Sequence, residues 1–91
     1  MLDRPTLTDR VLIVVRDVLA DQPTVETVGA DDELRNAGLT SMGMVRLMMA
    51  TEVAFNIAIP NEDLHPDNFR NARALAKLVA RLLSEQETAR A

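Results

Sequence analysis

Residues 33–60 of the chain read ELRNAGLTSMGMVRLMMATEVAFNIAIP. The stretch leaves a polar connection at Gly38 and enters an apolar segment, Met42 to Phe55, whose residues follow a helical spacing. Ser41 stands at the start of that segment, where its hydroxyl can accept a hydrogen bond from a backbone N–H of the first turn. Pro60 closes the stretch because proline forces the preceding residue out of helical geometry. The pattern therefore predicts a helix capped by Ser41 and followed by a short extended segment.

The apolar residues of this helix fall on more than one side. Four of them form one stripe along the helix: Met42, Val45, Met49 and Val53. Three further apolar residues widen this stripe: Leu47, Met48 and Phe55. Thr51 and Glu52 are expected on the helix exterior. Four of the five methionines belong to the helix, and at this spacing they cannot all face a core. Some fill the core, and the others form a candidate docking surface because methionine adapts to different partners.

Two further helices flank this one. The first is predicted from Leu7 to Leu19 with Thr6 or Thr8 as its cap. Its β-branched run, residues 12–15, could form a strand, but the helical period continues beyond strand length and no second strand is visible. The last helix is expected to begin after Asn71 and to end near Ser84.

The connections complete the prediction of an all-α fold. A long loop over residues 21–40 is anchored by four apolar residues, Val25, Val28, Leu34 and Leu39. Residues 61–64 predict a brief helical turn, and residues 65–69 a loop in which His65 is exposed or capping. We therefore expect a small helical bundle of three main helices and one short helix with a long first loop. Residues 1–91 would form one domain, with a core over about 7–84 and a frayed tail at 85–91.

Composition excludes several function classes. The 91 residues include no cysteine, one histidine and two phenylalanines as the only aromatics. Thiolate metal sites and cysteine nucleophiles therefore have no residues to build them, and base-stacking platforms are nearly excluded. The net charge of −4 argues against nucleic acid and anionic membranes as partners. No apolar run is long enough to span a bilayer, and the N-terminus has no signal-peptide core. We expect no metal site, no acid–base constellation for catalysis and a cytoplasmic location.

Charge is unevenly distributed along the chain. Residues 21–69 carry nine acidic side chains against Arg35 and Arg46, a net charge of −7, whereas residues 70–91 carry a net charge of +3. The middle of the chain is either an ordinary solvated surface or an acidic face that attracts basic partners.

The segment Gly38-Leu39-Thr40-Ser41-Met42 and the later segment Phe55-Asn56-Ile57-Ala58-Ile59-Pro60 together resemble the attachment region of acyl and peptidyl carrier proteins. The match needs no gap between Ser41 and Asp63. The resemblance implies an acyl-carrier-like fold, with 4′-phosphopantetheine attached to Ser41 by a phosphopantetheinyl transferase that supplies the base and Mg²⁺. The family is not enzymatic: its members carry cargo as a thioester on the arm, receive it from a ligase and deliver it to a downstream acceptor enzyme. We expect a monomer.

Two departures from the family pattern carry information. Thr40 stands where the family usually has aspartate, a charge that transferases commonly read. The helix after Ser41 contains Glu52 as its only acid, balanced by Arg46, whereas fatty-acid carriers have an acidic helix there. We therefore predict a more apolar docking face around Ser41, formed by Thr40, Met42, Val45, Arg46, Met49 and Glu52.

These features are similar to those of stand-alone carriers that receive an amino acid from a ligase resembling an aminoacyl-tRNA synthetase. An amino acid is therefore the expected cargo. The alternatives are a discrete carrier of a polyketide, nonribosomal peptide or fatty-acid pathway, and, from another class, an unmodified helical adaptor in which Ser41 is only a cap. A small enzyme is disfavoured by the missing catalytic groups.

Overall fold

Three α-helices form the framework of the computed structural model, which describes residues 5–90: α1 (Leu7–Val18), α2 (Ser41–Phe55) and α3 (Ala72–Arg90). Short 3₁₀ turns occur at Val25–Thr27, Asn61–Asp63 and Pro66–Phe69. The described residues contain no strand, so the predicted all-α architecture is confirmed. The short helix expected at 61–64 is a single 3₁₀ turn. The prediction of a loop at 65–69 is wrong in part, since most of this segment forms another 3₁₀ turn.

Helix α1 begins with a reciprocal capping box. The Thr6 hydroxyl accepts a hydrogen bond from the Asp9 N–H at 3.0 Å, and the Asp9 carboxylate accepts one from the Thr6 N–H at 3.1 Å. This confirms a threonine cap and rules out the strand alternative for residues 12–15. Val11, Val15 and Leu19 are buried where α1 packs against α2 and α3.

The core-facing side of α2 is formed by Leu47, Thr51 and Phe55, which are spaced four residues apart. Thr51 is fully buried, so the prediction that it lies on the helix exterior is wrong. Its hydroxyl donates a hydrogen bond to the Leu47 carbonyl at 2.7 Å. Because that local bond satisfies the hydroxyl, threonine can occupy a core position here.

Helix α3 begins as predicted and ends later than predicted. The Asn71 side chain accepts a hydrogen bond from the Ala74 N–H at 2.7 Å, which confirms Asn71 as the cap. The end expected near Ser84 is wrong, because the helix continues to Arg90 through most of the predicted frayed tail. Two local interactions extend it: an Arg81–Glu85 ion pair at 3.1 Å and a hydrogen bond from the Thr88 hydroxyl to the Ser84 carbonyl at 3.0 Å. Ala91 lies outside the described residues.

The long first connection is held against the bundle by buried side chains and backbone hydrogen bonds. Val28, Leu34 and Leu39 are buried and Val25 is partly buried, which confirms the four predicted anchors. The Leu34 N–H donates to the Arg70 carbonyl at 2.8 Å, and the Arg73 N–H donates to the Ala30 carbonyl at 3.0 Å. The loop that leads to Ser41 is therefore fixed to the start of α3.

Ion pairs link the acidic middle of the chain to its basic end. Arg70 pairs with Glu33 at 2.8 Å, Arg73 pairs with Asp31 at 2.6 Å, and Arg81 pairs with Asp63. Three of the nine acidic side chains of residues 21–69 are thus balanced within the molecule. The acidic surface open to a basic partner is smaller than the sequence indicates.

The Asp31–Arg73 pair predicts a small pH-dependent contribution to stability. The hydrogen bond that the Arg73 guanidinium donates lowers the pKa of the Asp31 carboxyl below the ordinary value of 3.8. A depressed folded-state pKa stabilises the fold above the unfolded-state value, and the contribution disappears as pH falls through the folded-state value. Asp31→Asn should therefore lower the denaturant midpoint slightly near neutral pH, and the difference from wild type should shrink in a series descending below pH 3.8.

Glu87→Gln is the matched control, since no ion pair of Glu87 occurs within residues 5–90. A difference between Asp31→Asn and wild type that stays constant across the pH series would contradict the assigned ion pair.

Candidate functional site

Ser41 is the first helical residue of α2 and is exposed to solvent. The cap lies one position earlier: the Thr40 hydroxyl accepts a hydrogen bond from the Gly43 N–H at 3.0 Å. The prediction that Ser41 caps α2 is therefore wrong. A cap residue keeps an extended backbone, and Thr40 does so with a ψ of 173°, whereas Ser41 is already helical. The Ser41 hydroxyl makes no hydrogen bond within the described residues, so it is free of any structural role there.

A tight turn at Gly38 delivers the chain to Ser41. Gly38 has a φ of 103°, a conformation that side chains with a Cβ rarely adopt. A Cβ at this position would also clash with the side-chain amide of Gln22. Leu39 then turns inward and packs beside Gly43, whose missing side chain leaves room for it. Gly38 therefore determines how the chain approaches Ser41.

Gly38→Ala should destabilise the protein by about 1–3 kcal/mol, because alanine would be held in a disfavoured backbone conformation. Urea denaturation measures the change. Gly29→Ala is the matched control: a Cβ there would make only an ordinary contact at 3.5 Å with Asp32, and no positive φ is required. Equal effects of the two substitutions would show that the Gly38 conformation is not what requires glycine.

A cleft of about 720 Å³ opens beside Ser41, between α2 and the Pro66–Phe69 turn. Its apolar lining includes Leu39, Met44, Met48 and Phe69. Its charged lining consists of Glu33, Arg35, Asp67 and Arg70. Sequence reasoning missed this cleft, because its walls come from two separate parts of the chain, residues 33–48 and 64–70, and only the fold brings them together.

The predicted docking residues lie on the outer side of α2. Met42, Val45 and Met49 are 74%, 50% and 57% exposed, and Thr40 and Arg46 are also exposed. Met44 and Met48 are partly buried against the core, so the methionines divide between core and surface as expected. The exposed methionine face is present, and its role in docking stays a prediction.

Glu52 differs from the other predicted docking residues. It is half-buried, and its carboxylate accepts a hydrogen bond from the Ile59 N–H at 2.8 Å. This contact fixes the segment that leaves α2 after Asn56, which turns through a left-handed conformation with a φ of 52°. Glu52 therefore has a structural contact in addition to any contact with a partner.

The chemistry that this arrangement supports is presentation of a hydroxyl. Backbone N–H groups and the helix dipole at the start of α2 favour a negatively charged group on Ser41. The single histidine, His65, accepts a hydrogen bond from the Asp67 N–H at 3.2 Å and so caps the Pro66–Phe69 turn, in agreement with the predicted capping role. The charged side chains in the cleft are carboxylates and guanidiniums, and Glu33 is already paired with Arg70.

No helix within residues 5–90 is long and apolar enough to cross a membrane. Within the same residues, no three histidine or acidic side chains cluster in a way that could hold a metal ion.

Comparison with known proteins gives a consistent picture. The family model described as "phosphopantetheine attachment site" matches residues 9–79. Aminoacyl carrier protein 2 of Bradyrhizobium diazoefficiens is 38% identical over 71 residues, which cover 78% of this chain and 80% of that protein. The aminoacyl carrier protein of Agrobacterium fabrum is 34% identical over 79 residues, covering 82% of this chain and 95% of that protein.

A solved structure is also similar to this chain. It is the crystal structure of an engineered Bradyrhizobium japonicum glycine:[carrier protein] ligase complexed with carrier protein from Agrobacterium tumefaciens and AMP. The matched chain is 33% identical with a TM-score of 0.66, and the match covers 76% of this chain and 97% of that chain.

Proposed function

Because this chain belongs to the phosphopantetheine attachment-site family, we propose that Ser41 is the residue to which the 4′-phosphopantetheine group is attached. The protein is a carrier that bears this prosthetic group. The group fits the site, since the Ser41 hydroxyl is exposed at a helix N-terminus and Thr40 provides the cap in its place. When bound, the group supplies a terminal thiol that holds cargo as a thioester.

The attachment step is a phosphoryl-group transfer from coenzyme A. The Ser41 oxygen forms a bond to the phosphorus that carries the pantetheine arm, the pyrophosphate P–O bond breaks, and adenosine bisphosphate leaves. The serine proton goes to a base, which we assign to the transferase. The contribution of this chain is position: the Gly38 turn and the Thr40 cap fix Ser41 at the positive end of α2.

We propose that the cargo is an amino acid delivered by a stand-alone ligase and then passed to an acceptor enzyme, with no step catalysed by the carrier itself. The support comes from relatives that are named aminoacyl carrier proteins and from the similar structure in which a carrier is bound to a glycine:[carrier protein] ligase. The near-neutral, apolar outer face of α2 agrees with this class and differs from the acidic helix of fatty-acid carriers.

The test has two stages. The purified chain is first incubated with coenzyme A and a broad-specificity transferase, and its intact mass should rise by one phosphopantetheine. The modified chain is then offered amino acids with amino acid:carrier ligases, or fatty acids with acyl ligases. An amino acid thioester is expected. Attachment of only fatty acyl groups would replace the proposed cargo, and a chain that gains no arm would be an unmodified adaptor.

A further inference from the structure

A second groove lies between α1 and the second half of α2. Its volume is about 970 Å³, and its apolar lining includes Ile13, Val14, Met49, Ala50, Val53 and Ala54. Ile13 is 66% exposed and Val53 is 83% exposed. Large aliphatic side chains that are this open and line one groove from two helices form an apolar surface that water solvates poorly.

This groove is continuous with the surface around Ser41 but distant from Ser41 itself. Met42, Val45, Met49 and Val53 are spaced by three or four residues and so form one exposed strip along α2. Val53 comes twelve residues after Ser41, which places it about 18 Å away along the helix axis. The cleft beside Ser41 is lined by Met44, Val45 and Met48, so the groove lies on the other side of the strip.

The charged rim of the groove indicates what would bind there. Asp17 and Glu26 border it and have no ion-pair partner within residues 5–90. Arg16 also borders it, but its guanidinium donates to the Val28 carbonyl at 2.7 Å and is held on the chain's own loop. A complementary partner would place apolar side chains on Ile13 and Val53 and a basic side chain opposite Asp17 and Glu26.

We propose that this groove is a docking site for the ligase that loads the arm, and that the transferase leaves it uncovered. The inference rests on the proposed function. A transferase must reach the Ser41 oxygen itself, so it binds around the start of α2. A ligase acts at the thiol end of the arm, so its docking surface need not include the Ser41 oxygen and can lie about 18 Å along the helix.

The experiment measures how one double variant and one control variant interact with two partners, the ligase and the transferase. The double variant Ile13→Ser/Val53→Ser is first given the arm and its intact mass is checked. Its affinity for the Bradyrhizobium japonicum glycine:[carrier protein] ligase, measured by calorimetry, should be about tenfold or more weaker than that of modified wild type, because two buried aliphatic contacts are lost. Its rate of modification by the transferase should stay within about twofold of wild type. Ala58→Ser, at an exposed position outside the groove, is the control and should change neither value.

A second variant tests the charged rim. Asp17→Asn/Glu26→Gln should weaken ligase binding severalfold at low salt and less at high salt, since exposed charge pairs are screened.

The outcomes separate this inference from the proposed function. A wild-type chain that gains no arm contradicts the proposed function. A modified double variant that binds the ligase as tightly as wild type contradicts the assignment of the groove and leaves the proposed function intact. A rate of modification by the transferase that falls as much as the ligase affinity contradicts the same assignment. Wild type that fails to bind the ligase also overturns the groove assignment. A wild-type dimer in sedimentation that the double variant abolishes would assign the groove to a second copy of this chain.

Discussion

Replacing Ser41 by alanine is expected to abolish attachment of phosphopantetheine while changing the free energy of unfolding by less than about 0.5 kcal/mol. The hydroxyl is the only group of Ser41 that can form the phosphodiester. It is exposed, it makes no hydrogen bond within the described residues, and the cap of α2 is provided by Thr40. Alanine is also a good helix former at the first helical position. Intact mass after incubation with coenzyme A and transferase measures the first effect, and urea denaturation measures the second.

Two controls make this result specific. Ser84→Ala removes the only other serine, on the exposed side of α3, and should still gain the arm. Thr40→Ala should behave in the opposite way to Ser41→Ala: it keeps the proposed attachment residue but loses the cap, at a cost of about 1 kcal/mol in stability. An arm gained by Ser41→Ala would place the attachment elsewhere. A large loss of stability in Ser41→Ala would assign the capping role to Ser41 after all.

The cap of α2 shows which features could be predicted from the sequence: a cap was expected at Ser41, and Thr40 provides it. Both residues are good caps, and the sequence gives no measure of which of two adjacent residues has the extended backbone. The approach through Gly38 decides it, because the positive φ there and the inward turn of Leu39 leave Thr40 as the last non-helical residue. The helices themselves were predictable since their apolar residues recur at the helical period.

The surface features were less predictable than the helices. The stripe Met42, Val45, Met49, Val53 is the most regular apolar stripe of α2 in the sequence, yet it is exposed, and the core side is marked by Leu47, Thr51 and Phe55. Periodicity identifies a face but not its neighbour, and α2 has few charged residues to mark the solvent side. Likewise, the cleft and the groove depend on how α2 sits against other segments, which no local pattern encodes. A polar residue at a core position, such as Thr51, is a further case in which tertiary contacts override the local pattern.

Leu34→Ala should lower the free energy of unfolding by about 2–5 kcal/mol, the largest loss expected from a single substitution discussed for this chain. Leu34 is fully buried although it lies in the long connection. Its N–H donates to the Arg70 carbonyl at 2.8 Å, and its carbonyl accepts from the Leu39 N–H at 2.9 Å. The side chain therefore fills the core while its backbone joins the loop to α3 and to the turn before Ser41. Alanine would leave a cavity in the core.

Thermal and urea denaturation measure the loss, and a fall in Tm of at least about 8 °C is expected for a domain of this size. The same experiment on Ile13→Ala gives the control, since that aliphatic side chain is 66% exposed and its truncation should cost less than about 0.5 kcal/mol. The hydrogen bond from the Leu39 N–H to the Leu34 carbonyl shapes the approach to Ser41. In Leu34→Ala, amide hydrogen exchange at Leu39 and Gly43 should therefore accelerate more than exchange in the middle of α1. A loss below about 1 kcal/mol would mean that the loop is not held through Leu34, and that Gly38 and Thr40 alone position the serine.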